Sequence, residues 1–225
     1  RSALLSSVSH DLRTPLAAIT GMATALRERS AGESEELDTI IAEAQRLSRL
    51  LTNLLSITKV ESGAEPRREW VPLEEIVGSV LVRLEQELAD RAVAVDLPAG
   101  ALARVDPILV EQLLLNVLDN AAKHTPPGTP ISIEVRREPD AAVIEIADRG
   151  EGLPPGPRNQ VFDKFFRGKT SAAGAGLGLA VCRGIAAAHG GTIEAIPRDG
   201  GGARFVARFP DGAPLPDVHE EELAS

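Results

Sequence analysis

Tyrosine is missing from the 225 residues, tryptophan and methionine occur once each, and aromatic residues make up 3% of the chain. Its core must therefore be aliphatic, and it is short of the platforms on which single-stranded nucleic acids stack. A formal net charge of −9 argues against nonspecific binding to nucleic acid or an anionic membrane. One cysteine, Cys182, excludes an internal disulfide and a cysteine-based metal cluster, and fits a reducing compartment. Its neighbours Leu179, Ala180, Val181 and Ile185 point to a buried, inert thiol. No run of about 18 apolar residues occurs, so no segment reads as a transmembrane helix, and none reads as a signal peptide. What remains is a 43% hydrophobic chain with room for one large domain or two small ones. It opens inside a repeating apolar pattern at Arg1 without a helix N-cap, which leads us to expect a piece of a longer protein.

That pattern places apolar residues at Leu5, Val8, Leu12, Ile19, Met22 and Leu26, in heptad steps that pass through Pro15. Residues 1–29 read as a helix kinked at Pro15, which removes a backbone donor. With Leu5 at position a, His10 falls at f, away from the seam, with Asp11 beside it and Thr14 one turn along. An imidazole held in solvent with an acid next to it and a hydroxyl within a turn can accept and return a group. From periodicity alone, an ordinary surface histidine is the favoured reading, and the rest of the chain has to reverse it. Ser30 to Ser34 reads as a turn, and a second run follows at Leu37, Ile40, Ala44, Leu47, Leu51, Leu54 and Thr58. Two long helices with wide apolar stripes cannot bury them within one hairpin. A homodimeric four-helix bundle solves that problem, with packing on the chain's own C-terminal half as the alternative.

Gly63 to Glu69 is polar and broken by Gly and Pro, hence a linker, and beyond it the pattern becomes mixed. Leu73–Leu88, Pro107–Lys123 and Leu177–His189 read as helices. Ala92–Leu97, Ile131–Arg137, Val143–Asp148, Thr192–Ile196 and Arg204–Phe209 read as strands. The expected fold is an all-α hairpin (residues 1–62), a linker (63–70) and an α/β two-layer sandwich (71–212). The acidic tail after Pro210, set off as residues 213–225, reads as disordered.

Four elements of the second half converge on one ligand. Asn116, Asn120 and Lys123 lie near one helix face; neutral amide oxygens suit a hydrated Mg²⁺ otherwise held by phosphates, and Lys123 supplies a point charge. Asp148 ends an alternating strand and is followed by Gly150 and Gly152, where bare backbone lets a base come close. A carboxylate there accepts from the amino group of adenine and repels the carbonyl that guanine offers instead. In Val161 to Arg167, three of the five phenylalanines gather beside Lys164 and Arg167, either of which could reach a phosphate. Finally, Gly174, Gly176, Leu177 and Gly178 lead into a helix whose N-terminal amides attract phosphate oxygens. The cluster is no Walker A loop, because no Gly-Lys-Ser/Thr follows, and it lacks a Rossmann context.

In this order the elements resemble the histidine, asparagine, first glycine, phenylalanine and second glycine boxes of the sensor histidine kinases of two-component signalling. The resemblance implies a dimerisation and phosphotransfer hairpin with His10 as phosphoacceptor, followed by a catalytic ATP-binding domain of Bergerat-type fold. It implies ATP and Mg²⁺ as ligands: Asn116 and Asn120 for phosphate and metal, Lys123 for phosphate, Asp148 for the adenine amino group. Gly174, Gly176 and Gly178 would flank a lid at residues 168–175, and Gly201-Gly202 is similar to a terminal glycine box. It also implies a response-regulator receiver domain as partner, a cytoplasmic location for this piece, and attachment of the whole protein to the bacterial inner membrane through segments absent here. Leu4 to Leu26, Glu69 to Ser79, Phe162 to Phe165 and Gly200 to Ala203 further resemble the potassium-responsive Kdp sensor kinases. Three departures stand out: His124 where many kinases carry an aromatic over the adenine, a short lid, and Asp11 where glutamate is commoner.

Two rivals remain open on sequence. A chaperone- or topoisomerase-like ATPase commonly activates water with a glutamate near the place of Asn116, and an asparagine there disfavours hydrolysis. A non-catalytic scaffold would be expected to have lost Asn120 or Asp148. One outcome separates hydroxyl chemistry from a structural role at the kink: Thr14→Val should keep phosphorylation of His10 but lose dephosphorylation of the partner regulator, while Thr14→Ser keeps both. Wild-type dephosphorylation by Thr14→Val, followed with a purified phosphorylated regulator, would make Thr14 structural.

Overall fold

The computed structural model describes residues 18–26, 35–61, 63, 65–166 and 176–213. His10, Asp11, Thr14 and Pro15 lie outside the described residues, as do Arg167, Gly174, the turn at 30–34 and the expected lid at 168–175. Residues 18–26 form a helix, α1, and Glu35–Glu61 a second, α2. Ile19, Met22 and Leu26 on α1, and Ile40, Leu47 and Leu54 at steps of seven on α2, are exposed. Within one chain, then, an apolar heptad row stays uncovered. The C-terminal part of α2 nevertheless packs on the second half of the chain, as the alternative reading had it. Ser56 Oγ donates to Gln112 Oε1 at 2.5 Å, and Gln112 Nε2 donates to Asn53 Oδ1 at 3.2 Å.

After α2 come β1 (Glu69–Pro72), α3 (Leu73–Arg83), α4 (Glu85–Leu88), β2 (Val93–Asp96), β3 (Leu102–Val105), α5 (Pro107–His124), β4 (Ile131–Glu138) and β5 (Ala141–Ala147). A 3-10 turn at Arg158–Phe162, helix α6 (Gly178–Ala188), β6 (Thr192–Pro197) and β7 (Ala203–Pro210) complete the order. Five strands form one sheet in the order β2-β4-β5-β7-β6, with β2 parallel to β4 and the remaining pairs antiparallel. Alternation on the strands sends Ile131, Ile133, Val135, Ala142, Ile144, Ile146, Phe205, Ala207 and Phe209 into one core. The opposite face is charged: Glu145 meets Arg136 and Arg204, and Arg208 meets Glu138. Helices α3, α5 and α6 cover the apolar face, which gives the expected two layers.

Helix α5 has local reasons to exist. The Asp106 side chain caps it by accepting from Leu109 N at 3.2 Å, and Pro107 opens its first turn. Its buried residues Leu109, Val110, Leu113, Leu114, Val117, Leu118 and Ala121 recur at helical steps.

Two expectations need correction. The single helix over Leu73–Leu88 breaks at Leu84, whose N–H reaches Val80 O and Val82 O with φ −106° and ψ 16°, although Leu84 and Leu88 both stay on the buried face. The linker is shorter than expected: Glu69 and Trp70 pair with Val105 and Arg104 in a two-stranded β1–β3 sheet. Beyond Pro210, within the bounds expected for the second unit, the chain is still packed. Asp211 is buried, its N–H donates to Asp140 O, and its carboxylate accepts two hydrogen bonds from Arg137.

His189, which the sequence reading passed over, ties these parts together. Its Nε2 accepts from Asp106 N at 3.0 Å, so the proton sits on Nδ1, which donates to Ile185 O at 2.8 Å. Asp106 Oδ2 accepts from Arg67 N, and Arg68 donates to Ala188 O, which fastens the linker to both helices. Burial pulls the His189 pKa below its ordinary value; the bond to Ile185 opposes this and the Arg68 charge adds to it. A depressed folded-state pKa means that the unfolded chain binds more protons below about pH 6.5, so stability is lost as pH falls through that window. Urea unfolding at about pH 7.5 and about pH 5.5 should show this loss, and His189→Gln should lose less. An equal loss in the variant would show that His189 is not linked to folding.

Candidate functional site

Helix α5 is the spine of the site. Its buried face anchors it to the sheet, which leaves Asn116 and Asn120 half-buried on a neighbouring face and Lys123 and His124 exposed at the end. From Asn116 to His124 the helix advances about 12 Å. The remaining expected groups gather at the two ends of that stretch.

At the inner end lies the start of α6. A Cβ placed on Gly178 would sit 3.4 Å from Asn116 Oδ1, so the asparagine packs directly beneath the glycine that opens the helix. Asn116 Nδ2 is buried without a hydrogen-bond partner; the adjacent Cys182 sulfur is too weak an acceptor to satisfy it. Burial raises the Cys182 thiol pKa, so the cysteine stays protonated and inert, as expected. Leu177 is buried at the N-terminus of α6, and Gly176 has φ +67°. Gly176 O accepts from Phe165 N at 2.8 Å, and a Cβ on Gly176 would fall 2.5 Å from Phe166 O. The phenylalanine segment and the glycine segment therefore meet at their bases. Phe162 is the core anchor, edge-on to Phe205, whereas Phe165 is exposed with φ +64° and Lys164 is exposed beside it.

At the outer end Asp148 is buried, and its Oδ1 accepts from Gly150 N at 2.8 Å and from Ala203 N at 3.2 Å. Its Oδ2 accepts no hydrogen bond from the described residues. A Cβ on Gly202, where φ is +97°, would lie 2.1 Å from Asp148 O, so only glycine permits this approach. Gly152 faces Gly202 in turn. The close of α5 lies against Gly150: a Cβ there would meet Thr125 Cγ2 at 2.7 Å and His124 O at 3.0 Å. His124 stands at the rim, where partial loss of water and then the Lys123 charge lower its pKa, against Asp119, Asp148 and Glu151, which raise it.

The structure thus groups Asn116, Leu177 and Gly178 at one end, and His124, Asp148, Gly150 and Gly152 at the other, with Asn120 and Lys123 between them on the spine. Lys123 is paired with Asp119 at 2.5 Å, a partner that the i,i+4 spacing could have revealed. Thr125 and the Ala203 amide were also missed. Thr125 meets Gly150 through its side-chain methyl, and Ala203 meets Asp148 through its backbone amide; both partners are remote in sequence, which leaves no local signal.

A cation fits the amide oxygens present: among the described residues neither the Asn116 nor the Asn120 side-chain oxygen accepts a hydrogen bond from a neighbour, while the unpaired Asn116 Nδ2 is a donor that suits a phosphate oxygen rather than a metal. Neutral donors suit a metal whose charge is balanced by phosphates.

Comparison with known proteins agrees with this geometry. Residues 105–213 match the Histidine kinase-, DNA gyrase B-, and HSP90-like ATPase family, and residues 1–63 match the His Kinase A (phospho-acceptor) domain. The chain is 40% identical over 231 residues to Sensor protein KdpD of Escherichia coli, covering 98% of this chain but 26% of that protein. It is 32% identical to Sensor-like histidine kinase SenX3 of Mycobacterium tuberculosis, covering 99% of this chain and 56% of the relative. Among solved structures, the mycobacterial sensor histidine kinase MprB shares 31% identity at a TM-score of 0.57, covering 66% of this chain and 99% of that one. Full-length ShkA in complex with AMPPNP superposes with a TM-score of 0.70 at 26% identity, over 93% of this chain and 46% of that one. On the sequence of boxes, the two-layer fold and these likenesses, the chain belongs to the sensor histidine kinases of two-component signalling.

Proposed function

We propose that this chain is the ATP-dependent core of a protein histidine kinase that phosphorylates its own His10 and passes the group to an aspartate of a response-regulator receiver domain. The observation that carries the reading is the Asp148 carboxylate. One oxygen is fixed by two backbone amides and the other is left for a donor, which is what recognition of an exocyclic amino group requires. About 12 Å along α5, the amides of Asn116 and Asn120 lie beside the glycine N-terminus of α6, where phosphate groups belong. A nucleoside triphosphate would span that stretch.

Asn120 and Asn116 would hold Mg²⁺, which when bound supplies charge neutralisation to the phosphates. Lys123 reaches a phosphate by exchanging Asp119 for it, and Lys164, Arg167 and the Gly174 to Gly178 segment complete the phosphate end. His124 lies over the base end. A His10 ring nitrogen attacks the γ-phosphorus of ATP, a nitrogen–phosphorus bond forms, and the bond to the bridging oxygen breaks to release ADP. Asp11 accepts from the other ring nitrogen, fixing the tautomer and stabilising charge as it develops. Thr14 orients water for the reverse reaction, removal of phosphate from the regulator.

The uncovered rows on α1 and α2 support a homodimer built on a four-helix bundle, with residues 1–62 as the hairpin and 71–212 as the catalytic domain. Similarity to KdpD supports potassium or osmotic signalling of the Kdp type, with the whole protein in the bacterial inner membrane and this core facing the cytoplasm.

Two substitutions test the division of labour. Asp148→Asn keeps size but loses charge, and loss of a hydrogen bond to a charged acceptor costs about 1.5–3 kcal/mol, roughly tenfold to a hundredfold in ATP affinity. His10→Gln should abolish stable phosphorylation yet leave ATP affinity within about twofold, because acceptor and nucleotide occupy different domains. Calorimetry that found Asp148→Asn unchanged would remove the base-recognition role.

A further inference from the structure

Arg91 sits in the turn between α4 and β2, remote in sequence from every box, yet its side chain is 5% exposed. An arginine is rarely buried so far without a compensating set of acceptors. Here the set is the end of α5. Arg91 Nη1 donates to Thr125 Oγ1 at 2.6 Å and to Pro126 O at 2.9 Å. Its Nη2 donates to Ala122 O at 2.8 Å and Thr125 O at 3.2 Å. Thr125 Oγ1 donates onward to Ala121 O at 2.7 Å. The carbonyls that a helix leaves open at its C-terminus are thus gathered under one guanidinium, at the negative pole of the helix.

The clamp continues into the site. Thr125 Cγ2 and His124 O press on Gly150 so closely that no Cβ fits there, and Gly150 N is one of the two donors that hold Asp148 Oδ1. We infer that Arg91 is a positioning residue for nucleotide-base recognition, acting through Thr125 and Gly150 to set the angle of the Asp148 carboxylate. The inference rests on the reading of Asp148 as the group that meets the adenine amino nitrogen. Without the clamp, the loop after α5 relaxes, Gly150 is no longer backed, and Asp148 keeps one firm anchor, Ala203 N. The phosphate end, built on Asn116 and Gly178 some turns away, is not touched by Arg91. The effect is therefore confined to the base.

The test is calorimetric titration of the chain with ADP and with inosine diphosphate, in which a carbonyl replaces the amino group. Arg91→Met keeps most of the stem but removes the donors. It should weaken ADP binding about tenfold, while inosine diphosphate binding moves less than about twofold, so the preference for ADP shrinks. Arg137→Met serves as the stability control: it breaks the pair with Asp211 at the other end of the central strands and should leave the preference intact. If Arg91→Met shrinks the preference no more than Arg137→Met does, Arg91 is only a structural cap and the inference falls while Asp148 keeps its role. If the unaltered chain shows no preference for ADP, the reading of Asp148 and the inference fall together. Should Arg91→Met not fold, Thr125→Val removes one acceptor of the clamp but keeps the branched shape against Gly150, and the same comparison decides.

Discussion

A buried carboxylate must be tied down or it will not stay oriented, and for Asp148 the tie is a pair of backbone amides. Gly150 N and Ala203 N come from opposite sides of Asp148, one from its own turn and one from the start of β7. The arrangement works only because Gly202 brings β7 within reach of the Asp148 backbone, and because Asp148 N donates back to Ala203 O. Sheet pairing, the glycine turns and the close of α5 are thereby locked to one orientation of one side chain. The base recognition proposed for Asp148 depends on that rigidity, since a single free oxygen can select a donor over an acceptor only if its direction is fixed.

Helix α5 faces two tasks at once. Its core face holds the domain together, while Asn116 and Asn120 lie half-buried on a neighbouring face and Gln112, one turn earlier, bonds Asn53 and Ser56 of α2. The helix that carries the amides is therefore hydrogen-bonded to the hairpin, which also packs on α6. At its start, Asp106 joins the linker through Arg67 and the end of α6 through His189.

Much of this was legible in the residues. The α5 segment announces itself by a cap, a proline and a helical apolar period, and β4, β5, β6 and β7 by alternation around turns. The boxes could be read because each needs particular residue types at close spacing. What escaped depends on distant partners. β1 has four residues and becomes a strand only beside β3, some thirty positions on. The break at Leu84 carries no glycine or proline, and the apolar stripe runs through it unbroken from Val80 to Leu84 and Leu88, so neither breaker residues nor periodicity announce it. Arg91 looks like any surface arginine until the end of α5 is placed over it.

The most direct measurement is the fate of label from γ-labelled ATP incubated with this chain. Transfer to His10 predicts label on the protein that survives alkali and is released by acid, the behaviour of a phosphorus–nitrogen bond. Release of the label as free phosphate, with none retained on the protein, would contradict it and make the site that of a hydrolase.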